Sequence, residues 1–382
     1  MNDSRSPLPV MLLCTSLSRG GAEMQVTQLA LELHRLGYDV SVVSMIEPTA
    51  FVGELRDGGI EVHSLGMKPG RLSAMGLLRL LALLRTLRPA VLHAHLFHAN
   101  LLARFASLLC AVPVVLSTIH SLAESGRASN RVGLRDWLYR LTNGLSHRTI
   151  CVSEAVAQRH LASRAISSGR TLVIPNGANP ALFPQRPQTR ALIRKRSVPE
   201  TALAWLGGRP VMWKKDYVTM LRAMASQPHG KLFIAGEGPL EGELGNLAAS
   251  LGARVQFLGL REDIPDLMSA CDGFVMSSVV EGLPMVLIEA AMAGLPAVAT
   301  DVGGVQEVLL DGETGFTVPP QDVDGLAEAM GRLAAMPVEA RRRMGDAARG
   351  HAIGKFSLSE VAARWDRLYR DCLAISQRQR MP

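Results

Sequence analysis

Aromatic side chains, paired cysteines and long hydrophobic runs are all scarce in this chain of 382 residues. Aromatic residues make up only 4% of the sequence. Because no recognition-helix motif or stacking platform accompanies them, no nucleic-acid partner is expected. The five cysteines are scattered and form no C-x-x-C pair, which is typical of buried thiols in a reducing compartment.

No hydrophobic run is long enough to cross a membrane. The longest run, residues 105–119, is split by Pro113, and the leucine-rich stretch 72–87 is interrupted by two arginines. Both fall short of the roughly 20 apolar residues that a spanning helix needs. The run 10–14 is also too short for the core of a signal peptide. The sequence therefore predicts a cytoplasmic protein, or one bound to the inner face of the cytoplasmic membrane.

Negative charge is scarce in the first half of the chain. Residues 1–185 hold 18 Lys+Arg and 11 Asp+Glu, whereas residues 186–382 hold 23 of each, so the whole net charge of +7 lies in the first half. This asymmetry favours a phosphate-rich or membrane-surface partner for that half. An arginine-rich surface with no partner is the alternative.

Strand-like segments alternate with helical segments along most of the chain. Residues 9–174 contain seven strand-like segments and residues 202–318 contain six more, separated by a proline-rich break at 175–200 with one short helix. This alternation predicts an α/β fold with two doubly wound, Rossmann-like parallel sheets and a helical tail. Ligands of such sheets bind beyond the carboxyl ends of the strands, so the chemistry is expected there.

Two glutamates mark the most informative segment, residues 277–304. Glu281 precedes a predicted helix that starts near Gly282-Leu283-Pro284, and Glu289 lies within this otherwise apolar helix. An open helix N-terminus is suited to an anion, and carboxylates are suited to sugar or ribose hydroxyls. The alternative is that Glu281 caps the helix and Glu289 pairs with an arginine.

This segment, EGLPMVLIEAAMAGLPAVATDVGG from Glu281, resembles the signature of the family-4 retaining glycosyltransferases. These enzymes have the GT-B fold, in which two Rossmann-like domains face each other across a deep cleft. Further segments resemble the family in the same order. They are GGAE at 20–23, AVLHAH at 90–95, STIH at 117–120, VSE at 152–154, IPNG at 174–177 with Phe183, GR at 208–209, KDY at 215–217 and GEGP at 236–239. Asn179 departs from the family, which has Asp there.

The resemblance implies a role for each matching position. Arg209 and Lys215 would hold the donor diphosphate, with Lys214 as the alternative to Lys215 because residues 210–213 form an unusual insert. Glu281 would bind the donor sugar, and His120 would lie near the reacting sugar carbon. The remaining donor-binding positions are Gly20, Gly21, Asn176, Gly236, Gly238, Gly282, Leu283, Pro284 and Glu289, the last of them on the ribose.

No metal or other cofactor is expected. His93, His95 and His98 suggest a zinc site, but no carboxylate or cysteine completes the set. Asp322-Val323-Asp324 imitates a D-x-D metal motif but opens a predicted helix, so capping is the better interpretation. The sequence also lacks a G-x-G-x-x-G loop after the first strand, which argues against a nicotinamide enzyme.

The predicted function is transfer of a sugar, with retention, from a nucleotide-diphospho-sugar to a glycan or lipid-linked glycan in cell-surface polysaccharide or glycolipid biosynthesis. A UDP-sugar is favoured, and GDP-mannose is next. Residues 1–182 would bind the acceptor and 183–356 the donor, with 357–382 a helix packed back on the N-terminal domain. The basic first half, with its leucine- and arginine-rich helix at 71–88, would give peripheral membrane contact. A nucleotide-sugar epimerase and a catalytically silent partner of another transferase are the alternatives.

Overall fold

The chain forms two units. The structure is a computed structural model, which describes residues 7–71, 73–122, 132–184, 203–207 and 213–380. The first unit is Met1–Gly177 with Leu358–Pro382, and the second is Ala178–Ser357. The sequence placed these divisions after residues 182 and 356. Ala178 belongs with the second unit because its N–H donates to the Phe356 carbonyl at 2.9 Å.

The first unit is built on a parallel sheet, with strand order β3-β2-β1-β4-β5-β6-β7. Neighbouring strands pair in parallel, at the positions where the sequence predicts strands. The strands are β1 Pro9–Cys14, β2 Asp39–Ile46, β3 Glu61–Met67, β4 Val91–His95, β5 Val114–Ile119, β6 Arg148–Cys151 and β7 Thr171–Val173. The helices are α1 Gly21–Arg35, α2 Val52–Asp57, α3 Ala74–Leu87, α4 Phe97–Leu109, α5 Leu134–Thr142 and α6 Glu154–Ala162.

The second unit repeats this plan with the strand order β10-β9-β8-β11-β12-β13. Its strands are β8 Ala204–Gly207, β9 Lys231–Ile234, β10 Val255–Phe257, β11 Gly273–Met276, β12 Ala297–Thr300 and β13 Gly315–Val318. Its helices are α7 Tyr217–Ala225, α8 Glu241–Ser250, α9 Ile264–Ala270, α10 Met285–Met292, α11 Val305–Val308, α12 Val323–Ala335 and α13 Val338–Phe356. The sequence missed α2 and α9 because helices this short give little periodic signal.

The last helix, α14 (Leu358–Arg380), returns to the first unit. Alternate residues of β1 explain how the two faces of that sheet are covered. Leu12 points into the core formed with α1 and α14, whereas Leu13 points into the core formed with α3 and α4. Among the described residues no helix has both the length and the apolar character needed to cross a membrane. The short helix predicted within 175–200 falls largely outside the described residues.

Helix α13 packs closely against α10 and the residues that follow it. Gly345 is the point of closest approach, because a Cβ at this position would collide with the backbone carbonyl of Gly294, just beyond α10. Gly350 lies on the same helix and is exposed, and a Cβ at this position would have no other atom within 4 Å. These two glycines of one helix therefore differ in packing alone.

We expect Gly345→Ala to destabilise the second unit and Gly350→Ala to stabilise it. Overpacking against backbone costs about 1–3 kcal/mol, whereas alanine in an open helical position gains roughly 0.5–1 kcal/mol over glycine. Urea denaturation of both variants measures the two free energies of unfolding. Equal effects of the two substitutions would contradict the close approach at Gly345.

Candidate active site

Lys215 and Glu281 form an ion pair beyond the strand ends of the second unit. Lys215 ends a 3-10 turn, Trp213–Lys215, that precedes α7, and Glu281 follows β11. The Lys215 ammonium donates to Glu281 Oε1 at 2.5 Å, and the two side chains are only 14% and 13% exposed. Because water screens this pair poorly, the attraction is stronger than in a surface ion pair.

The backbone of the lysine turn is fastened to the chain that follows β11. The Ser277 hydroxyl lies 2.8 Å from the carbonyl oxygens of both Lys215 and Asp216 and donates to them. The Val279 N–H donates to the Lys214 carbonyl at 2.9 Å. These contacts fix the position from which Lys215 reaches Glu281. The sequence did not single out Ser277, since nothing in its local pattern indicates a partner 62 residues away.

The helix that follows Glu281 is not capped by this residue. Pro284 is the N-cap of α10 and makes no side-chain capping bond, so the interpretation of Glu281 as a cap is wrong. The Pro284 carbonyl accepts from the N–H groups of Leu287 and Ile288. The first amides of such a helix point outward and are suited to an anion.

Other predicted donor positions also lie in the second unit. Glu289 is on α10 and only 5% exposed. Leu283 is also buried, and the Gly282 carbonyl accepts from the Gly304 N–H at 3.1 Å. Gly236 follows β9 with a φ of 137°, a conformation that favours glycine, and Gly238 accepts from the Glu241 N–H at 3.2 Å.

Two buried hydroxyls near this site have no hydrogen-bond partner among the described residues. They belong to Tyr217, which starts α7, and to Ser278, which precedes Glu281 by three positions. Burial and the Glu281 carboxylate both raise the pKa of Tyr217. Tyr217 therefore stays neutral and can donate. The KDY segment of the sequence contains Tyr217, whereas no sequence motif indicated a role for Ser278.

In the first unit, the glycine loop is held by Glu23. Gly20 is the N-cap of α1, which starts at Gly21. The hydroxyls of Ser16 and Ser18 donate to Glu23 Oε1 at 2.7 and 3.3 Å. A Cβ on Gly20 would collide with the same carboxylate. A larger residue at position 20 would therefore displace the Glu23 carboxylate from its present place.

Asn176 lies in the chain that follows β7 and is buried. Next to it, the Gly177 N–H donates to Gln25 Oε1 at 2.8 Å, which fastens this chain to α1. Gln25 and Asn176 also line a crevice of the first unit together with His95, His120 and residues of α14 and the strand ends. The sequence did not single out Gln25.

Three histidines form a polar cluster at this crevice, in which His93 and His95 are buried and His120 is half-buried. His93 lies 2.7 Å from the Tyr369 hydroxyl through Nδ1 and 2.7 Å from the Thr118 hydroxyl through Nε2. His95 Nδ1 lies 3.1 Å from His120 Nε2. Tyr369 is on α14, so the last helix of the chain completes the cluster. The contact between Tyr369 and His93 was not predicted, because no sequence pattern links two residues that are 276 positions apart.

All three rings are neutral at neutral pH. Burial lowers the pKa of His120 to about 4 and that of His93 to about 3, and it lowers the pKa of His95 well below its usual range. His95 Nε2 and His120 Nδ1 are buried without a hydrogen-bond partner among the described residues. In either tautomer of the pair, one of these nitrogens is a donor and the other an acceptor. A hydroxyl group placed against either nitrogen could pair with it, because a hydroxyl both donates and accepts.

The metal interpretations find no support in the described part of the chain, which holds no group of three or more His, Cys, Asp or Glu placed to bind a metal ion. Both ring nitrogens of His93 already contact hydroxyl groups. Asp322 Oδ1 accepts from the Gly325 N–H at 2.8 Å as the N-cap of α12. This confirms capping as its role.

Two family models match the two units in turn. The model described as Glycosyltransferase Family 4 matches residues 19–182, and the model described as Glycosyl transferases group 1 matches residues 210–351. Glycogen synthase of Mycobacterium tuberculosis is 30% identical over 319 residues, which cover 78% of this chain and 72% of that protein. The chain belongs to glycosyltransferase family 4.

Other relatives cover nearly the whole glycosyltransferase chain. Alpha-maltose-1-phosphate synthase of Mycolicibacterium smegmatis is 29% identical over 387 residues, 92% of this chain and 95% of that protein. The crystal structure of Anabaena HepE in complex with UDP has a TM-score of 0.83 at 20% identity, covering 95% of this chain and 100% of that one. At that identity the likeness shows the shared fold, GT-B.

The predicted site residues of this glycosyltransferase fall into two sets. In the second unit Lys215 and Glu281 touch, beside the start of α10. In the first unit His120 joins the histidine cluster. Arg209 lies outside the described residues. The roles assigned to these residues, and to Gly20, Gly21 and Asn176, stay predictions.

We expect the stability of the first unit to fall between about pH 6.5 and about pH 4. An unfolded histidine takes up a proton near pH 6.5, whereas the buried rings resist protonation until about pH 4 or below. The unfolded state therefore binds more protons in this window, and the free energy of unfolding falls as the pH falls. Urea denaturation across this window measures the effect.

His95→Gln should make this pH dependence shallower, because it removes one of the buried groups. His229→Gln is the matched control, since His229 is exposed in the second unit. A pH dependence that is the same in both variants and the wild type would contradict a buried, neutral cluster.

Proposed function

We propose that this glycosyltransferase transfers a sugar from a nucleotide-diphospho-sugar, with retention of the anomeric configuration and without a metal ion. The observation that carries the proposal is the Lys215–Glu281 ion pair beside the N-terminus of α10. A lysine ammonium has three donors. With Glu281 as one partner, Lys215 can still contact phosphate oxygens. The Lys215 ammonium and the helix N-terminus together would then stabilise the negative charge of the diphosphate, as a metal ion does in other enzymes.

In the proposed reaction, the bond between the anomeric carbon and the β-phosphate oxygen breaks, and a bond to the acceptor oxygen forms on the same face. The acceptor proton passes to the departing phosphate oxygen. Lys215, and by family resemblance Arg209, stabilise the charge that develops there. Glu281 accepts from hydroxyls of the donor sugar, and Glu289 from the ribose. The neutral His120 ring orients the sugar by hydrogen bonding and does not supply a proton.

A UDP-sugar is the favoured donor, and GDP-mannose is next. The UDP in the complex of HepE, which shares the fold, supports this order. The acceptor would bind the first unit, whose excess of positive charge suits an anionic glycan or lipid-linked glycan. The product would enter cell-surface polysaccharide or glycolipid biosynthesis at the inner face of the cytoplasmic membrane.

We expect Glu281→Gln and Lys215→Gln each to reduce turnover by about a hundredfold or more, because each removes a group that acts on the donor. Glu243→Gln, an exposed glutamate on α8, is the matched control and should keep wild-type turnover. A thermal-shift screen with UDP-, GDP- and ADP-sugars selects the donor, and release of nucleoside diphosphate with candidate acceptors then measures the rate.

Wild-type turnover in both site variants would refute the site assignment. A free 2-epimer formed without an acceptor would instead identify a nucleotide-sugar epimerase. Donor binding with background turnover on every acceptor would identify a catalytically silent partner.

A further inference from the structure

Exposed apolar side chains are concentrated on neighbouring helices of the first unit. α4 and α5 pack side by side on one face of its sheet. Half of the exposed large hydrophobic residues in the described chain lie on these two helices and on the adjacent α3. On α4 and α5 they are Phe105, Leu108, Leu109, Leu134, Trp137 and Leu141. Such a concentration of exposed apolar side chains on neighbouring helices indicates an interaction site.

The outer face of α5 is apolar where a helix of a water-soluble unit is usually polar. Leu134, Trp137 and Leu141 are spaced as one helical face and are 76%, 52% and 73% exposed. The polar Asp136 lies on the opposite side, buried, with its carboxylate 2.6 Å from the Arg159 guanidinium. Helix α5 therefore turns polar residues towards the interior and apolar residues towards the solvent, which is the reverse of the usual amphipathic arrangement.

The exposed charges of α3 and α5 are of one sign. Arg79 and Arg85 on α3 and Arg140 on α5 are exposed, whereas the one arginine on α4, Arg104, is buried. α3 and α4 carry no acidic residue, and the only one on α5 is the buried, paired Asp136. The exposed Arg140 guanidinium lies 5.4 Å from the centre of the Trp137 ring. Such a surface attracts anions and repels a second copy of itself.

We propose that this face of α4 and α5 docks on the surface of a lipid bilayer that contains anionic lipids. Trp137 and its two leucine neighbours would enter the interfacial region, and Arg140 would contact lipid phosphates. This deepens the proposed function, on which it rests for a lipid-linked acceptor. The sequence pointed to the helix 71–88 for this contact. The corresponding α3 exposes Met75 and Leu78, so it flanks the face rather than forming its centre.

The test is co-sedimentation of the full-length protein with phosphatidylcholine vesicles, with and without phosphatidylglycerol. We expect binding only to the anionic vesicles, weakened by salt. The variant Leu134→Gln/Trp137→Gln/Leu141→Gln should lose about tenfold or more of this binding, because it removes three apolar anchors. Arg140→Gln should lose about fivefold, since each cation near an anionic surface contributes a comparable factor.

Leu260→Gln/Val338→Gln, which changes two exposed apolar residues of the second unit, is the matched control and should bind as the wild type does. Circular dichroism checks that every variant is folded. The proposal is overturned if the wild type does not sediment with anionic vesicles, or if the triple variant binds equally well. It is also overturned if the wild type is a dimer that the triple variant abolishes, with no vesicle binding.

Turnover separates the failure of this inference from the failure of the proposed function. The triple variant should keep wild-type turnover on a water-soluble acceptor, because Leu134, Trp137 and Leu141 are exposed and do not line the crevice beside His120. Vesicle binding that fails while turnover persists overturns the docking surface alone. Vesicle binding that persists while Glu281→Gln keeps full turnover overturns the active-site assignment alone.

Discussion

Parallel strand pairing places the carboxyl ends of neighbouring strands at one edge of a sheet, and the candidate site residues of both units follow such ends. In the first sheet, His95 pairs in register with Thr118, and the chain then delivers His120 to the same edge. In the second sheet, β8 and β11 are neighbours, so the segments that carry Lys215 and Glu281 emerge side by side. The contacts of both sites depend on this shared geometry.

Hydrogen bonds over long sequence separations then hold these segments in place. Ser277 fastens the lysine turn, Gln25 fastens the chain beside Asn176, and Tyr369 holds His93. Each bond is buried or partly buried, so breaking it leaves a polar group without water to replace its partner. Tyr369 adds a constraint of its own. Because it lies on the last helix, the histidine cluster is complete only when the end of the chain has packed on the first unit.

The first unit keeps its central histidines neutral and exposes most of its cations, whereas Arg104 is buried and donates to hydroxyl groups. Burial keeps His93, His95 and His120 uncharged, which avoids the cost of an unpaired charge in the interior. At the surface, Arg140 beside Trp137 keeps its charge in water while its stem covers apolar area. Arg140 is therefore an exposed cation beside the apolar face of α5.

The sequence by itself determined the two parallel sheets, the positions of their strands and the family, because alternating β and α periodicity and short motifs are local properties. It also indicated Lys215, Glu281 and His120 as candidates. Only the tertiary structure decided that Lys215 and Glu281 touch, that Pro284 and not Glu281 caps α10, and that Tyr369 completes the histidine cluster. The exposed face of α5 was equally hidden, since its period is the same whether its leucines face the core or the solvent. Partners distant in sequence and the direction of a helix face are set by packing, which no local pattern encodes.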